Sequence, residues 1–390
     1  MDALESEKIP FWHNPTVRGI FYQVMVVCLF ALLAWYLITN TLHNLHRQHI
    51  ATGFGFLTKR ASFEIGESLI SYSSVDTYGR ALLVGALNTL KVSFIGIIIT
   101  LILGTVIGLS RLSTNWLVSR MASLYIEVMQ NIPVLLQLFF WYAIFYEALP
   151  PPRRALNPMS GVFLSNRGMV MAVPEWNRAH LFMLLALALA VVLTFLLSGW
   201  AKRRQALTGK HFPVFWVSLA LIVGLPVAVW LGFGAPIRMD VPHLTGFNFH
   251  GGMTFSPEFI ALLLGLVLYT AAFVAEVVRA GVQSVSKGQT EAAMALGLKS
   301  RLVLNLVILP QALRVIVPPL TSQMLNLTKN SSLAVAIGFP DFVSVANTTI
   351  NQTGQSIEGV ALIMAVYLIF SLSTSALMNW YNKKTKLIER

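Results

Sequence analysis

The sequence predicts an all-α polytopic membrane protein, and three observations carry that expectation. Of its 390 residues, 56% are hydrophobic and only 11% are charged, where soluble domains carry about a quarter charged. Mean hydropathy is +0.68. Eight apolar runs, near 20–38, 81–109, 117–147, 180–199, 213–232, 258–279, 304–327 and 359–379, approach or exceed the roughly 20 residues an α-helix needs to cross a bilayer.

The first run starts too late and runs too long for a cleavable leader, and no small-residue cleavage site follows it. It is expected to remain a helix. It holds Cys28, the single cysteine, so a disulfide framework is excluded and redox chemistry is not indicated. A segment expected outside, about 40–80, carries "TGFGFL" and "SFEIGESLISYS" and reads as a surface hairpin or an interfacial helix. Runs two and three follow, and then a Pro-, Asn- and Arg-rich segment, 148–179, whose "PPPRR" opening reads as an ordered loop. Runs four and five form a pair, followed by a third outside segment, 233–257, with "GFNFHGGMTFSP". None of the three is long enough for a domain with its own core.

The net charge of +12 would point to nucleic acid in a soluble protein. Here the basic residues are parcelled into loops, and the topology rule for membrane helices accounts for them. Alternating eight spans from a cytoplasmic N-terminus puts most Lys and Arg inside, with "KRR" (202–204) and "KKTK" (383–386) abutting helix ends. Both termini are therefore expected in the cytoplasm, and no nucleic-acid partner is expected.

Between runs six and seven lies "SKGQTEAAMALGLKSRLVLNLVILP", residues 286–310. It is no phosphate loop: Leu298 separates Gly297 from Lys299, and the glycines that let backbone N–H groups approach an anion are missing. Ser286 and Gln289 have capping-box spacing, so a helix should begin there. Gly297 is placed to end it as a left-handed residue, and Ser300 can cap a second helix that runs to Pro310. The expectation is two short helices joined by a glycine bend, the first bearing small alanines with Gln289 and Glu291. The plainer reading is a well-capped loop.

The order Glu291, Ala292, Ala293, then Gly297, then apolar residues closing on Leu309 and Pro310 resembles the EAA loop of ABC importer permeases, with Val307 where the family usually has Ile. The wider wording, "AEVVRAGVQSVSKGQTEAAMALGLKS" and "ILPQALRVIVPPLTSQMLNLTKNSSL", with "YIEVMQNIPVLLQLFFWYAIF" upstream, resembles the polar amino acid permeases of the histidine/glutamine type. That likeness covers about 81–148 and 257–380. The extra N-terminal helix and the inserted pair near 180–232 are similar to the longer general L-amino-acid subgroup. The resemblance implies a type I permease core of about five helices. It divides the chain into an N-terminal helix with a periplasmic segment (1–80), a first core part (81–148), loops with the helix pair (149–256) and a second core part with the EAA loop near 284–310 (257–390). It also implies partners: a second homologous permease in a heterodimer, a cytoplasmic ATPase dimer that binds the ATP and Mg this chain lacks, a periplasmic amino-acid-binding protein, and membrane lipid. Coupling to the ATPase would fall to Gln289, Glu291, Ala292, Ala293, Gly297 and Pro310.

Polar residues inside spans are costly and hence functional suspects. In run three, Glu127, Gln130 and Asn131 fall at i, i+3 and i+4, on one helix face, and Gln137 adds to that face further along. Pro133 cannot donate to the helix ladder and should break it. A broken helix with polar side chains is the pattern of a solute site; interhelical hydrogen bonding is the alternative. The family often has Arg where Gln130 stands, which shifts any carboxylate-holding task elsewhere. Lys329, with Asn330, Ser331 and Ser332, reads as pathway lining or as a snorkelling Lys. Glu276 and Arg279 read as a structural ion pair or a gate element, and Lys91 as snorkelling or paired. His43, His46 and His49 lack an accompanying carboxylate or Cys, so no metal site is expected. The sequons at Asn326, Asn330, Asn347 and Asn351 matter only with a glycosylation route. A secondary transporter would favour an ion relay and an inverted repeat, and a membrane enzyme a catalytic constellation; the sequence offers none of these.

Overall fold

The computed structural model describes residues 15–47, 52–210, 212–235 and 238–385, and the chain divides into two compact units. Among the described residues, seven helices are long and apolar enough to cross a membrane, or eight if the bent pair Trp116–Asn131 and Val134–Ala148 counts as one span. The helices are α1 (Pro15–Arg47), α2 (Tyr78–Arg111), α3 (Trp116–Asn131), α4 (Val134–Ala143), α5 (Arg178–Thr208), α6 (Val214–Gly232), α7 (Pro257–Gln283), α8 (Lys287–Ala295), α9 (Ser300–Val303), α10 (Leu309–Asn330), α11 (Phe342–Thr353) and α12 (Ser356–Thr385). All eight apolar runs appear as helix.

The first unit comprises Met1–Ile98 and Val277–Arg390. Its segment 53–77 is neither a hairpin nor an interfacial helix, as the sequence suggested. It makes one 3-10 turn, Phe54–Thr58, closes on itself through an Arg60–Thr77 bridge, and buries Phe56 and Ala61 in a cluster with Tyr78, Ala81 and Leu82 of α2 and Phe342, Val345 and Ala346 of α11. Burying a large apolar side chain contributes about 1.5–3 kcal/mol, enough for a few such anchors to hold a short irregular segment. Polar groups of α2 fasten it further: Asn88 donates to the carbonyls of Glu67 (2.8 Å) and Pro340 (2.9 Å), and Lys91 is ion-paired with Glu67. Of the two readings open for Lys91, pairing is the one observed.

The second unit is Ile99–Glu276. Tyr125 of α3 donates its hydroxyl to the Leu268 carbonyl of α7 at 2.7 Å. The two loops read separately from sequence combine. β1 (Leu156–Met159), β2 (Val162–Ser165) and β3 (Gly168–Met171) form an antiparallel sheet that β8 (Met253–Phe255) completes. Likewise β4 (Val173–Pro174) pairs with β5 (Met239–Asp240), while β6 (His243–Thr245) and β7 (Asn248–His250) make a hairpin. Between these strands, α5 and α6 pack against each other, with Phe182 stacked on Phe233 at 5.2 Å, while within α5 Arg204 lies over the Trp200 ring at 5.3 Å.

Candidate functional site

The stretch 286–310 folds as two helices about a bend, with three departures from expectation. Ser286 takes the N-cap position with an extended backbone, yet its side chain makes no capping hydrogen bond. Lys299, not Ser300, precedes α9, and Ser300 is the first helical residue. Pro310 does not end the second helix: a helical run continues from Ser300 to Ile337. A π turn at Leu304–Ile308 lies just before the proline. It is the wider turn that accommodates a ring which would otherwise clash with the carbonyl four residues back.

The bend is closed by backbone alone. Gly297 N–H donates to Met294 O at 2.9 Å and Leu298 N–H to Ala293 O at 3.3 Å, the paired bonds of a Schellman motif. Gly297 has φ +78° and open space where a Cβ would stand. The constraint is therefore conformational: an L side chain costs about 1–2 kcal/mol in this region. The helix α8 packs against α9 and the π turn, and Ala293 is its buried residue. Gln289, Glu291 and Ala292 are exposed, together with Met294 (51%) and Leu296 (82%). Glu291 has no hydrogen bond or ion pair among the described residues. Exposed apolar side chains around a free carboxylate, on a helix with a fixed bend, make a surface that is unfinished in the single chain. Upstream, Gly281 brings α7 close to α10: an added Cβ would stand 2.2 Å from Ile316 Cγ1.

The second group lies on α3 and α4. These helices are bent by 102° at Ile132–Pro133, because Ile132 is held extended before the proline (φ −97°, ψ 125°). Glu127, Gln130 and Asn131 share α3, and Asn131 donates back to the Glu127 carbonyl at 2.6 Å. Gln130 donates to the Ala272 carbonyl of α7 at 3.3 Å. Gln137 does not extend their face. It is buried beyond the break, and its amide nitrogen donates at 3.0 Å to the carbonyls of both Met129 and Ile132, which the broken ladder leaves open.

The third group ends α10. Lys329 is exposed in the last helical turn, with no hydrogen bond or ion pair from its ammonium among the described residues. Ser331 and Ser332 donate to the Thr328 and Lys329 carbonyls, each at 2.7 Å, and Asn330 caps the 3-10 turn that follows without a side-chain bond. Glu276 accepts from Arg111 of α2, and Arg279 donates to Gln283. Arg111 was missed, because a separation of 165 positions from Glu276 hides the pair from any local spacing rule. His49 and the side chain of His46 lie outside the described residues, and no cluster of three metal-ligating side chains occurs among those described.

Residues 203–387 match a family profile described as binding-protein-dependent transport system inner membrane component. The chain is 49% identical over 378 residues to the general L-amino acid transport system permease protein AapQ of Rhizobium johnstonii, covering 97% of this chain and 94% of the relative. It is 50% identical to the putative amino-acid ABC transporter permease protein YhdX of Escherichia coli, covering 97% and 96%. It is 43% identical to the glutamate/glutamine/aspartate/asparagine transport system permease protein BztB of Rhodobacter capsulatus, again covering 97% and 96%.

Proposed function

Since the chain belongs to the binding-protein-dependent transport system inner membrane components, we propose that it is one permease half of an ABC importer carrying L-amino acids from periplasm to cytoplasm by alternating access. The names of the relatives support the substrate class, general L-amino acids in one and glutamate, glutamine, aspartate and asparagine in another. In this reading both termini are cytoplasmic. A second homologous permease completes the pore, a periplasmic binding protein delivers substrate, and a separate ATPase dimer holds ATP and Mg.

The observation that carries the proposal is α8 with its bend. A helix whose Ala293 face is buried, whose end is locked by the Gly297 turn and whose Glu291, Ala292, Met294 and Leu296 stand exposed can receive a push and pass it to α10. A flexible linker would absorb the same push. Glu291 orients the contact with the ATPase, and Gln289 flanks it. Along α10, Ser322, Asn326 and Lys329 are exposed on one side. Polar side chains on a membrane-crossing helix belong against water or polar partners rather than lipid, which supports a solute path along this side. The polar face of α3 (Glu127, Gln130) supports a contribution from the broken span.

The test is the double substitution Glu291→Lys with Gly297→Val in the assembled importer. Copurification of the ATPase should fall by about tenfold or more, the scale of a reversed interfacial charge, and substrate-stimulated ATP hydrolysis should vanish while this chain still inserts in the membrane. Unchanged ATPase association and uptake would sink the coupling assignment.

A further inference from the structure

Arg314 is a cation that the sites above leave unused. It lies in the second turn of α10, within the run Ser300–Ile337 that is long and apolar enough to cross a membrane. It is half-buried; its Nε is fully buried with no hydrogen-bond partner, and no ion pair reaches the guanidinium among the described residues. Arginine stays charged in proteins, so the group cannot escape this cost by losing its proton. A half-buried cation in an apolar span calls for an anion.

Its position on the helix narrows what that anion is. The exposed row of α10 runs Val315, Pro318, Ser322, Asn326 and Lys329. At 100° per residue, Arg314 lies about 60° around the helix from Lys329 and about 22 Å along it. The two cations therefore flank one exposed row whose middle, Ser322 and Asn326, is polar, with Lys329 at one end and Arg314 toward the other, where α9 and α8 lie. Lipid is a poor match for a side that also carries Ser322 and Asn326.

We propose that Arg314 is a carboxylate station on the solute path, holding the α-carboxylate of the amino acid after it passes the Lys329 end and before release. The inference rests on the permease reading above and deepens it. It names a ligand group shared by every L-amino acid, and accordingly a site that does not discriminate among side chains. The guanidinium fork suits a planar carboxylate through two parallel hydrogen bonds.

The test uses the complete importer in proteoliposomes, with uptake of radiolabelled L-glutamate, L-glutamine and L-leucine as the readout. Wild-type uptake reports on the permease reading, and the ratio of variant to wild type reports on Arg314. R314Q should lower the maximal rate for all three by about tenfold or more, the scale of one charge-assisted hydrogen bond, at an unchanged half-saturating concentration. R314K, which keeps the charge but loses the fork, should fall between wild type and R314Q for all three substrates. Copurification of the ATPase scores assembly, and if R314Q fails to assemble, R314K alone decides: a loss shared by all three substrates supports the proposal, and an undiminished rate overturns it. Uptake by R314Q within twofold of wild type overturns the proposal, as does a loss confined to L-glutamate or an equal loss in R314K and R314Q. So does a wild-type rate that collapses without anionic lipid while R314Q is insensitive to it, since the arginine would then serve a lipid phosphate.

Discussion

Asp341 has no exposed surface, yet its carboxylate begins α11, accepting from the backbone N–H groups of Ser344 (2.8 Å) and Val343 (3.2 Å) and from the Tyr367 hydroxyl (3.2 Å). Burial pushes its carboxyl up from 3.8 to about 6, against the opposing pull of those hydrogen bonds. A group whose folded value is raised favours the native state while protonated. That contribution is complete below the unfolded value, near 4, and is lost as pH rises through about 6. At 1.36 kcal/mol per unit it amounts to something on the order of 3 kcal/mol. Asp341→Asn keeps an acceptor for the α11 cap but removes the titration. Thermal unfolding of the detergent-solubilised protein from pH 4 to 8 should show wild type gaining stability relative to D341N as pH falls from 6 to 4. Parallel pH profiles would exclude Asp341 as the titrating group. Little of this was legible in the sequence, because Asp341 reads there as one more loop acid after a proline. The same holds for Lys91 with Glu67: the Lys was visible as costly in a span, but its partner sits in a segment whose fold depends on a distant α11.

At the scale of elements, the break between α3 and α4 was readable and its repair was not. Pro133 announces a broken ladder by its chemistry, whereas the answering donor, Gln137, was taken for a further member of the polar face. Residues share a face by spacing only along one helix, and a 102° bend at the expected break removes the shared periodicity. Gln137 thus acts as a brace, bonding the carbonyls of Met129 and Ile132. Gln137→Leu removes both hydrogen bonds to the open carbonyls, at about 0.5–1.5 kcal/mol for each. The expected result is a lower melting temperature with the half-saturating substrate concentration unchanged. A shifted half-saturation at wild-type stability would instead make Gln137 a ligand. The knuckle at α8 shows the converse. Gly297 was legible because a helix C-terminus needs a left-handed residue, but the capping role given to Ser286 was not borne out. Ser286→Ala should therefore leave stability within a few tenths of a kcal/mol, where a working cap would cost about 1 kcal/mol.

At the scale of the whole chain, the apolar runs located the helices long enough to cross a membrane, since length and hydropathy are local properties. The sheet escaped because its strands come from loops some 80 residues apart in sequence, as Met169 opposite Phe255 illustrates, and each loop alone looked too short to build anything. That pairing has a consequence for the inserted helices. Val173 and Pro174 pair with Asp240 and Met239, and Glu175 N–H donates to the Arg238 carbonyl at 2.9 Å. The chain therefore leaves for α5 and returns from α6 at one point. The hairpin is stapled within itself by Phe182 on Phe233 at one end and by Trp200 edge-on to Phe212 at 5.4 Å at the other. Removing 176–237 and joining Glu175 to Arg238 through an Asn-Gly turn, which suits a two-residue antiparallel connection, deletes two crossings at once. The side of the membrane on which every later segment lies is then preserved. The shortened chain should insert with the same orientation of its C-terminus, checked by accessibility of a single cysteine placed there in a C28S background. It should also retain ATPase copurification, because α8 and its bend belong to the other compact unit. Loss of insertion would mean that the hairpin supports the second unit; loss of ATPase binding with normal insertion would mean that it also shapes α8.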